Sequence, residues 1–360
     1  MKILRVINSL DIGGAERSVV GNVPLHIQNG VDMEVLLLNG QRTFFLEELE
    51  KQNIKIHFLG KNNNVYNPAL IFKISKYINE YDLIHVSLFP ALYWVSLAKI
   101  LTKSKTKLVF TEHNTNNRRM NNFLFRWIDK IIYKQYNHIV AISPETNVVI
   151  SKHLNRDSSI STIYNGVDLF RFKNGKKKCS NNLIPENKKI ILQIGGFRDE
   201  KDQDTVIKSL LLLPNEFHVV FVGIGKRMEL CKHYAKSLNV FQRITFLGLH
   251  NNVEDILSIA DVVVMSSHWE GFGRAAVEGM AASKPVIATN VSGLSSIVGS
   301  AGLLFEVGDH EKLADLIINL FKDKRFYDEI SFKCSQRAEK YGIKNMVDQY
   351  EVLYKNMLAN

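Results

Sequence analysis

Two carboxylates, Glu270 and Glu278, stand eight positions apart in the segment SHWEGFGRAAVEGMAASKPVIAT, residues 267–289. Glu270 lies in a glycine-bounded loop, and Glu278 lies about one turn into the helix that this loop opens. A Lys-Pro pair ends the helix before a short apolar strand. Backbone N–H groups at a helix start bind anions, and a carboxylate accepts hydrogen bonds from neighbouring hydroxyls. The segment therefore predicts a site for the diphosphate ester of a sugar.

The same two residues also have a structural interpretation. Glu270 sits near a helix start, where its charge favours the helix dipole. Glu278 is placed to form an i,i+4 salt bridge with Arg274. A lone pair of glutamates would be weak evidence, but the order of strand, serine, EGFG loop, helix, Lys-Pro and strand favours the functional interpretation.

A second polar cluster, GGFRDEK, occupies residues 195–201 directly after the apolar run 189–194. It is either a turn with solvated charges or a cation clamp on the diphosphate. In a clamp, Lys201 stabilises the negative charge that builds on the leaving phosphate as a glycosidic bond breaks. The DQD triplet at 202–204 lacks a metal-binding context and is predicted to cap the next helix.

The first half of the chain offers two weaker candidates. Gly13 and Gly14 follow the first strand and open a helix, so they form either a permissive turn or a loop where a phosphate or acceptor approaches the backbone. Their spacing in DIGGAER does not match the dinucleotide-binding pattern GxGxxG. His113 follows the apolar run 107–111, where a single histidine is more often structural than functional.

Short apolar runs alternate with longer amphipathic stretches along the whole chain. In the first half, the predicted strands are 2–8, 33–38, 54–58, 83–86, 107–111 and 138–142, and the predicted helices are 16–29, 44–51, 68–80, 91–101 and 123–136. In the second half, the predicted strands are 189–194, 218–222, 244–247, 262–265, 285–288 and 302–305, with helices between them. This order predicts parallel sheets wound by crossover helices, and thus an α/β fold of two Rossmann-like domains.

A length of 360 residues fits two domains better than one. The predicted boundaries are 1–170 for the first domain, 171–188 for a polar, basic linker and 189–340 for the second domain, followed by an amphipathic helix within 341–360. Ligands of open parallel sheets bind beyond the carboxyl ends of the strands. Two such domains facing each other are expected to enclose one interdomain cleft, where we predict the chemistry.

The net charge of +10 is unevenly distributed. Residues 1–180 hold 25 Lys and Arg against 14 Asp and Glu, whereas residues 181–360 hold 21 against 22. A basic half attracts anions: nucleic acid, an anionic membrane surface or an acidic substrate. The segment 118–136 mixes basic and aromatic residues, so it either packs into its own domain, which is the commoner outcome, or forms an interfacial helix on anionic lipid.

Several common classes of protein are disfavoured. Cys179, Cys231 and Cys334 show no CxxC spacing, which predicts reduced thiols and a cytosolic chain. No apolar run approaches the roughly 20 residues of a membrane-spanning helix, and the N-terminus does not resemble a signal peptide. HExxH, Cys/His-cluster and GxxxxGK[ST] motifs are missing from the sequence, so we expect neither a metal site nor a bound cofactor.

With these motifs in place, the chain resembles the retaining glycosyltransferases of family 4, which have the GT-B fold. Their signature is a Glu-x7-Glu segment like that of Glu270 and Glu278, and the resemblance extends over nearly the whole chain. The other matching segments are Gly13-Gly14-Ala15-Glu16, Asn165-Gly166-Val167-Asp168, Gly223-x-Gly225, Phe246-Leu247-Gly248 and Gly302-Leu303-Leu304.

This resemblance implies roles for individual residues. Glu270 contacts hydroxyls of the donor sugar, and Glu278 holds the ribose diol of the nucleotide. His113 lies beside the donor sugar as a hydrogen-bonding group and not as a general base. The remaining donor-binding positions are the backbone groups of Phe272, Gly273 and Arg274 at the sugar and diphosphate, those of Leu249 and His250 at the base, and the loop of Gly13 and Gly14.

One position departs from the family pattern. Family members commonly carry an Arg and a Lys five residues apart, but here Lys201 matches the Lys while Gly196 stands at the Arg position. Arg198, two residues further on, is a candidate to take over that task. The missing Arg also motivates an alternative, in which the chain is a non-catalytic sugar-nucleotide-binding partner of another transferase.

The resemblance further implies a metal-independent, retaining transfer by a front-face mechanism, in which the departing diphosphate takes the acceptor's proton. The first domain is expected to bind the acceptor, with the tail helix packing back on it, and the second to bind a UDP- or GDP-sugar. The expected acceptor is a lipid-linked saccharide at the cytosolic membrane face, as in capsule, O-antigen or lipopolysaccharide assembly. A sugar-nucleotide epimerase is a further alternative, whereas nucleic-acid binding is disfavoured because no recognition-helix, RRM or OB pattern is found in the sequence.

Overall fold

A computed structural model of the protein describes residues 1–11, 13–62, 64–113, 122–155, 159–175, 184–185, 187–250 and 252–359, with the side chain of residue 124 excepted. The chain divides into two compact units. Unit 1 contains Met1–Gly166 and Ile343–Asn360, and unit 2 contains Val167–Gly342. The last segment of the chain therefore belongs to the first unit.

Unit 1 is built on one parallel sheet. Its strands are β1 (Lys2–Ile7), β2 (Asp32–Leu37), β3 (Ile56–Phe58), β4 (Leu83–Ser87), β5 (Lys107–Glu112), β6 (His138–Ala141) and β7 (Ile160–Thr162). Their order across the described sheet is β3-β2-β1-β4-β5-β6-β7, and neighbouring strands are parallel. The central strands are buried on both faces. Most of their successive residues are therefore apolar, and not only every second one.

The helices of unit 1 cover both faces of this sheet. They are α1 (Gly14–Gln28), α2 (Phe44–Glu50), α3 (Leu70–Ser75), α4 (Ala91–Thr102), α5 (Phe123–Tyr133) and α6 (Pro144–Leu154), followed at the end of the chain by Ile343–Ala359. Side chains fix several of the helix starts. Thr43 caps α2, and Ser143 caps α6 with a proline at the first helical position.

Unit 2 repeats the same architecture. Its strands are β8 (Lys189–Ile194), β9 (Phe217–Val222), β10 (Ile244–Gly248), β11 (Val262–Met265), β12 (Val286–Thr289) and β13 (Leu303–Phe305), in the order β10-β9-β8-β11-β12-β13 and with parallel neighbours. Its helices are α7 (Leu169–Lys173), α8 (Gln203–Ser209), α9 (Met228–Ser237), α10 (Val253–Ile259), α11 (Arg274–Ala281), α12 (Leu294–Val298), α13 (His310–Lys322) and α14 (Lys324–Ala338). Two parallel sheets with crossover helices confirm the predicted α/β fold of two Rossmann-like domains.

The last helix, α15 (Ile343–Ala359), packs beside α1 in unit 1. Four buried residues of α15 join the apolar cluster around β1, β2 and α1: Ile343, Met346, Tyr350 and Tyr354. The hydroxyl of Tyr354 also lies 2.5 Å from Nδ1 of His85 on β4. The core of the first unit is therefore completed by the end of the chain.

Each predicted strand is present, with bounds that shift by at most two residues. Strand β7 was not predicted, because three residues are too few to show a period. The predicted helix 68–80 is wrong in its middle, where α3 ends and a 3-10 turn, Ile78–Glu80, follows. The backbone tightens there to i→i−3 bonds, such as that from the N–H of Tyr77 to the carbonyl of Ile74 at 2.9 Å.

The start of the predicted linker 171–188 is helical in the structure, because α7 ends within it. Asp168 caps this helix by accepting the N–H of Arg171 at 3.1 Å, and the Arg171 guanidinium pairs with Glu254 at 3.0 Å. A single helical turn held by such contacts has no periodic pattern in the sequence. Most of the remaining linker, residues 176–183, lies outside the described residues.

Segment 118–136 divides between the two expected outcomes, because Tyr133 and Tyr136 are buried in the core of unit 1 whereas the aromatic residues earlier in α5 are exposed. The apolar side chains that α5 exposes are Phe123, Phe125, Trp127, Ile128 and Ile131, with Trp127 58% exposed. The opposite face is buried, and there Asp129 accepts hydrogen bonds from Tyr93 and from Nε2 of His153, the latter at 2.9 Å. The first four residues of the segment, 118–121, lie outside the described residues.

Two further expectations concern thiols and membrane spans. Burial raises the pKa of the unpaired Cys231 thiol to about 12 and that of Cys334 to about 11. Cys179 lies outside the described residues. Among the helices that the structure describes, none has the length and apolar character needed to cross a membrane.

Candidate active site

The polar loops that follow β8 and β11 meet at the carboxyl edge of the unit 2 sheet, where these strands are neighbours. Lys201 ends a 3-10 turn, Asp199–Lys201, after β8, and Glu270 lies in the loop between β11 and α11. Nζ of Lys201 contacts Oε1 of Glu270, and Ser267 donates its hydroxyl to the same oxygen at 3.2 Å. The Lys201 and Glu270 side chains are 19% and 14% exposed, so the ion pair is largely shielded from water.

Two buried polar side chains hold the main chain of the Lys201 turn. Gln193, within β8, donates from Nε2 to the carbonyl of Lys201 at 2.9 Å and to Oγ of Ser266 at 3.0 Å. The Ser266 hydroxyl lies 2.9 Å from the carbonyl oxygen of Lys201 and 2.8 Å from that of Asp202. Because buried polar groups retain their partners, these bonds fix the point from which the Lys201 side chain extends.

The backbone of Glu270 is confined by Gly293, the residue before α12. Gly293 has a φ of +87°, and a Cβ built there would lie 2.2 Å from the carbonyl oxygen of Glu270. Only glycine allows both this conformation and this approach. Thr289, at the end of β12, donates its hydroxyl to the carbonyl of Ser267 at 2.5 Å. The loop that carries Glu270 is therefore held from two sides.

Helix α11 begins at a glycine in the left-handed region. Gly273 has a φ of +75°, and a Cβ built on it would lie 2.4 Å from Cδ2 of Leu294. The Phe272 ring is buried against Tyr341, with ring centroids 5.6 Å apart, so Phe272 offers a ligand its backbone and not its ring. N–H groups in the first turn of a helix lack partners within that helix and bind anions.

Glu278 lies on α11 and is buried. Arg274 donates from Nε to Oε1 of Glu278 at 2.8 Å. The i,i+4 pair of the structural interpretation is therefore present, although Glu278 is buried and not solvated. A carboxylate has about four lone-pair sites, so this pair is compatible with the ribose contact, which stays a prediction.

Arg198 lies beside the position where the family arginine is missing. A Cβ built on Gly196 would lie 3.5 Å from Nε of Arg198, and one built on Gly195 would lie 3.6 Å from Cδ of Lys201. The two cationic side chains thus pass over adjacent glycines. Arg198 is 70% exposed, and its Nη1 lies 3.8 Å from Oε1 of Glu200. Nε of Arg198 therefore lies close to the point at which the side chain of an arginine at position 196 would leave the backbone.

The loop after β10 carries the two residues predicted to meet the base. Leu249 is exposed and His250 is partly buried. Gly248, which ends the strand, has a φ of +68°, and a Cβ built on it would meet no described atom within 4 Å. The space beside this loop is open to a ligand.

Unit 1 contains the remaining predicted site residues. Gly13 precedes α1 in an extended conformation, and Gly14 is the first residue of that helix. A Cβ built on Gly14 would meet no described atom within 4 Å, whereas one on Gly13 would collide with the flexible carboxylate of Glu16. Ile12 lies outside the described residues. A ligand could therefore come close to the backbone at Gly14 without meeting a described atom.

His113 follows β5 and is half-buried. Its Nε2 lies 3.3 Å from Oγ of Ser87, to which the buried Arg5 also donates from Nη2 at 2.8 Å. Burial, and then the charge of Arg5, lower the pKa of His113 to about 3. The imidazole is therefore neutral at physiological pH.

The structure brings some of the predicted residues together within unit 2 and assigns others to unit 1. Lys201 and Glu270 touch although they are 69 positions apart in sequence, whereas Gly13, Gly14 and His113 belong to the other unit. The predicted cap at 202–204 is confirmed, because Asp202 caps α8 through Thr205. Within the described chain, no group of three or more His, Cys, Asp or Glu residues is placed to hold a metal ion.

Sequence reasoning missed the residues that support the ion pair. These are Gln193, Ser266, Ser267 and Gly293. A polar residue inside a buried strand or directly after it is a usable signal for the first three, because buried polar groups need partners. Gly293 left no such signal, since its role depends on the approach of a distant loop.

Comparison with solved structures gives the class of protein that this fold and site define. Anabaena Alr3699/HepE in complex with UDP-glucose superposes with a TM-score of 0.88, at 22% sequence identity, over 99% of this chain and 100% of that chain. The fold is therefore the GT-B fold of glycosyltransferases, with two Rossmann-like units.

Family models then give the family itself. The model of Glycosyltransferase Family 4 matches residues 12–171, and the model of Glycosyl transferases group 1 matches residues 176–347. The two matches together span most of the chain, which confirms the family resemblance. The protein belongs to the family 4 glycosyltransferases.

Curated relatives are more distant in sequence. N-acetyl-alpha-D-glucosaminyl L-malate synthase of Bacillus anthracis is 27% identical over 82% of this chain and 80% of its own length. UDP-Gal:alpha-D-GlcNAc-diphosphoundecaprenol alpha-1,3-galactosyltransferase of Escherichia coli is 26% identical over 68% of this chain and 66% of its own length. These two relatives use different acceptors by name, so membership of the family does not define the acceptor.

Gly293→Ala is expected to lower the Tm more than Gly308→Ala. Both glycines have positive φ, +87° and +79°, so both alanines carry the strain of left-handed backbone, about 1–2 kcal/mol. Only at 293 does the new Cβ also collide with the Glu270 carbonyl, because a Cβ at 308 meets no described atom within 4 Å. Thermal unfolding measures both, and equal losses of Tm would show that Gly293 does not confine the Glu270 loop.

Proposed function

We propose that this chain is a retaining, metal-independent transferase that moves a sugar from a nucleotide-diphosphate sugar to a saccharide acceptor in surface polysaccharide assembly. The observation that carries this proposal is the shielded contact between Lys201 and Glu270 in the loops before α8 and α11. It joins a cation suited to a diphosphate with a carboxylate suited to sugar hydroxyls. The start of α11, four residues beyond Glu270, adds backbone N–H groups for an anion.

In the proposed reaction, the bond between the anomeric carbon and the diphosphate oxygen breaks, and the acceptor oxygen bonds to the same carbon on the same face. The departing diphosphate takes the proton of the acceptor hydroxyl. Lys201 exchanges its contact with Glu270 for the diphosphate and stabilises the charge that builds there. Glu270 is then available to the sugar hydroxyls and orients the sugar for attack.

The other site residues hold the donor in this proposal. Glu278, kept in place by Arg274, accepts hydrogen bonds from the ribose diol. His113 contacts a sugar hydroxyl, and the open side of Gly14 admits a phosphate or the acceptor. The backbone contacts are those of Leu249 and His250 with the base, and those of Phe272, Gly273 and Arg274 with the sugar and diphosphate.

The names of similar proteins support a particular donor and acceptor. The Anabaena structure contains UDP-glucose, and the Escherichia coli relative is named for UDP-Gal and a diphosphoundecaprenol-linked GlcNAc. We therefore favour a UDP-sugar over a GDP-sugar as donor. A saccharide linked to a lipid diphosphate is the proposed acceptor, which places the reaction at the cytosolic membrane face.

Lys201→Ala is expected to lower kcat about 10²–10³-fold, because the leaving diphosphate loses a positioned cation. A thermal-shift screen of UDP- and GDP-sugars first identifies the donor, which stabilises the folded chain by mass action. Transfer to a panel of lipid-diphosphate saccharides is then measured by release of the nucleotide. Lys208→Ala, an exposed lysine on α8, is the control for loss of surface charge.

Three outcomes of this assay would contradict the proposal. Unchanged turnover of Lys201→Ala would refute the clamp. A donor that stabilises the chain but is not transferred to any acceptor favours the non-catalytic partner. Conversion of the donor without an acceptor favours an epimerase.

Arg198→Ala is expected to lower kcat about tenfold, as for the loss of one charge-assisted hydrogen bond. The double variant Gly196→Arg/Arg198→Ala is expected to regain most of this activity, because a side chain at 196 begins beside the volume that Arg198 vacates. Steady-state kinetics of the two variants provide the test. If the double variant is no more active than Arg198→Ala, then Arg198 does not replace the family arginine.

We also propose that α5 docks on anionic lipid. Its exposed apolar residues are interleaved with the exposed cations Arg126 and Lys130, and the exposed Lys134 follows the helix. Apolar side chains enter the lipid interface, and each nearby cation adds roughly 1 kcal/mol of attraction to an anionic surface. The surplus of positive charge in residues 1–180 supports the same partner.

The double variant Trp127→Ser/Ile131→Ser is expected to lose cosedimentation with phosphatidylglycerol vesicles while its Tm is retained, because both side chains are exposed. Phe72→Ser on α3 removes an equally exposed apolar side chain of the same unit and is expected to sediment like the wild type. Wild-type protein that stays in the supernatant at low salt would end this proposal.

A further inference from the structure

A buried arginine lies inside unit 1 with no carboxylate partner among the described residues. Arg5 is 2% exposed and sits in the middle of β1. Its Nη2 donates to Oγ of Ser87, but within the described chain its Nε and Nη1 have no hydrogen-bond partner. Burying a charge that is incompletely bonded costs free energy that an apolar side chain of similar size avoids. Stability therefore does not explain this residue.

Arg5, Ser87 and His113 form a chain of hydrogen bonds. Arg5 donates to Oγ of Ser87 at 2.8 Å, and the same oxygen lies 3.3 Å from Nε2 of His113. A guanidinium has no acceptor, so Ser87 must accept from Arg5, and its own proton is available to His113. A hydroxyl that accepts from a cation also becomes a better donor. Among the described residues, Nε2 of His113 is the one group that can accept the Ser87 proton. A hydroxyl proton that is buried takes the acceptor within reach, so this arrangement favours Nε2 as the acceptor and places the proton of a neutral ring on Nδ1.

Within the described chain, Arg5 is the charged group that lowers the pKa of the His113 ring. The other titratable groups of the cluster are His85 on β4, His26 on α1, and Tyr350 and Tyr354 on α15. Burial lowers the pKa of His85 well below its usual value and that of His26 to about 4, so both rings are neutral near pH 7. Burial also raises the pKa values of Tyr350 and Tyr354, so both phenols stay protonated.

Two carboxylates that are adjacent in sequence to members of this cluster have partners of their own. Glu112, the residue before His113, accepts the hydroxyl of Tyr133 at 3.0 Å. Glu351, on α15, accepts from Asn29 at 2.9 Å and lies 3.2 Å from Nδ1 of His26. Among the residues that the structure describes, Arg5 and Ser87 are therefore the groups that set the state of His113.

We propose that Arg5 and Ser87 are positioning residues that hold the His113 imidazole as a neutral ring with its proton on Nδ1. In this form His113 presents an N–H donor to an oxygen of the substrate, whatever the pH of the cytosol. The assignment of that oxygen to a hydroxyl of the donor sugar rests on the proposed function. The state of the ring does not, because it follows from contacts within unit 1.

The state of the ring is measured in the ligand-free protein by two-bond ¹H–¹⁵N correlation spectra of ¹⁵N-histidine-labelled protein, with His113→Gln to assign the signals. The expected spectrum shows the Nδ1–H tautomer of His113 and no titration of this ring between pH 5.5 and 8, since burial and the Arg5 charge hold its pKa at about 3. An Nε2–H tautomer, or titration near the ordinary value, would overturn the proposal.

Two variants distinguish a role of Ser87 and Arg5 in positioning His113 from a merely structural role. Ser87→Ala removes the donor to Nε2 and is expected to shift His113 away from the pure Nδ1–H form. Arg5→Met removes the buried charge, so the pKa of His113 is expected to rise while the Tm is equal to that of the wild type or higher. Ser161→Ala is the matched control, because it removes the hydroxyl that lies 2.8 Å from Nε2 of His138 in the same unit.

Steady-state kinetics test whether the state of the His113 ring affects the sugar transfer. Ser87→Ala is expected to lower kcat about fivefold, the size of one neutral hydrogen bond, with little change in the donor KM, and Ser87→Thr is expected to restore it. Ser161→Ala should leave kcat unchanged. If Ser87→Ala retains both the wild-type His113 spectrum and the wild-type kcat, then Ser87 does not position His113 and the proposal is refuted. A wild-type chain that shows the expected spectra but transfers no sugar would instead refute the proposed function.

Discussion

Neighbouring strands of a parallel sheet end at the same edge, and the contact between Lys201 and Glu270 depends on that constraint. Strands β8 and β11 are paired in the sheet, so the loops that follow them meet although the two residues are 69 positions apart. Gln193 and Gly293 then restrict those loops through backbone contacts. Because the pair is shielded from water, its electrostatic interaction is stronger than that of an exposed pair. A phosphate that replaces the carboxylate keeps the Lys201 charge neutralised.

The polar residues near the carboxyl edge of the unit 1 sheet are arranged differently from those of unit 2. Arg5, buried in the middle of β1, donates to the Ser87 hydroxyl at the end of β4, and the buried Glu112 at the end of β5 accepts the hydroxyl of Tyr133. Tyr350 and Tyr354 close this cluster from α15, so the environment of His113 depends on the last helix of the chain. A helix distant in sequence thus completes both the core and the polar interior of the first unit.

Local patterns were enough to predict most of the fold, since each buried parallel strand is a run of apolar residues bounded by polar ones. The errors occur where an element is too short to show a period, as in β7 and α7. The site was predicted where its residues are chemically distinctive, as with Lys201 and Glu270. It was missed where a residue acts only through its backbone fit, as Gly293 does. The sequence left open whether the aromatic residues of α5 face the domain or the outside, because an amphipathic pattern does not say which face meets the domain.

The amino-acid sequence by itself determined the order of the elements, the α/β class and the residue types of the candidate site, because all of these depend on the periodicity and spacing of near neighbours. Only the tertiary structure decided that Lys201 pairs with Glu270, that Arg198 lies over Gly196, and that Arg5 is buried behind Ser87. The physical reason is that the first two depend on the conformations of loops and the third on contacts between strands far apart in the chain. Neither local propensity nor spacing encodes such contacts.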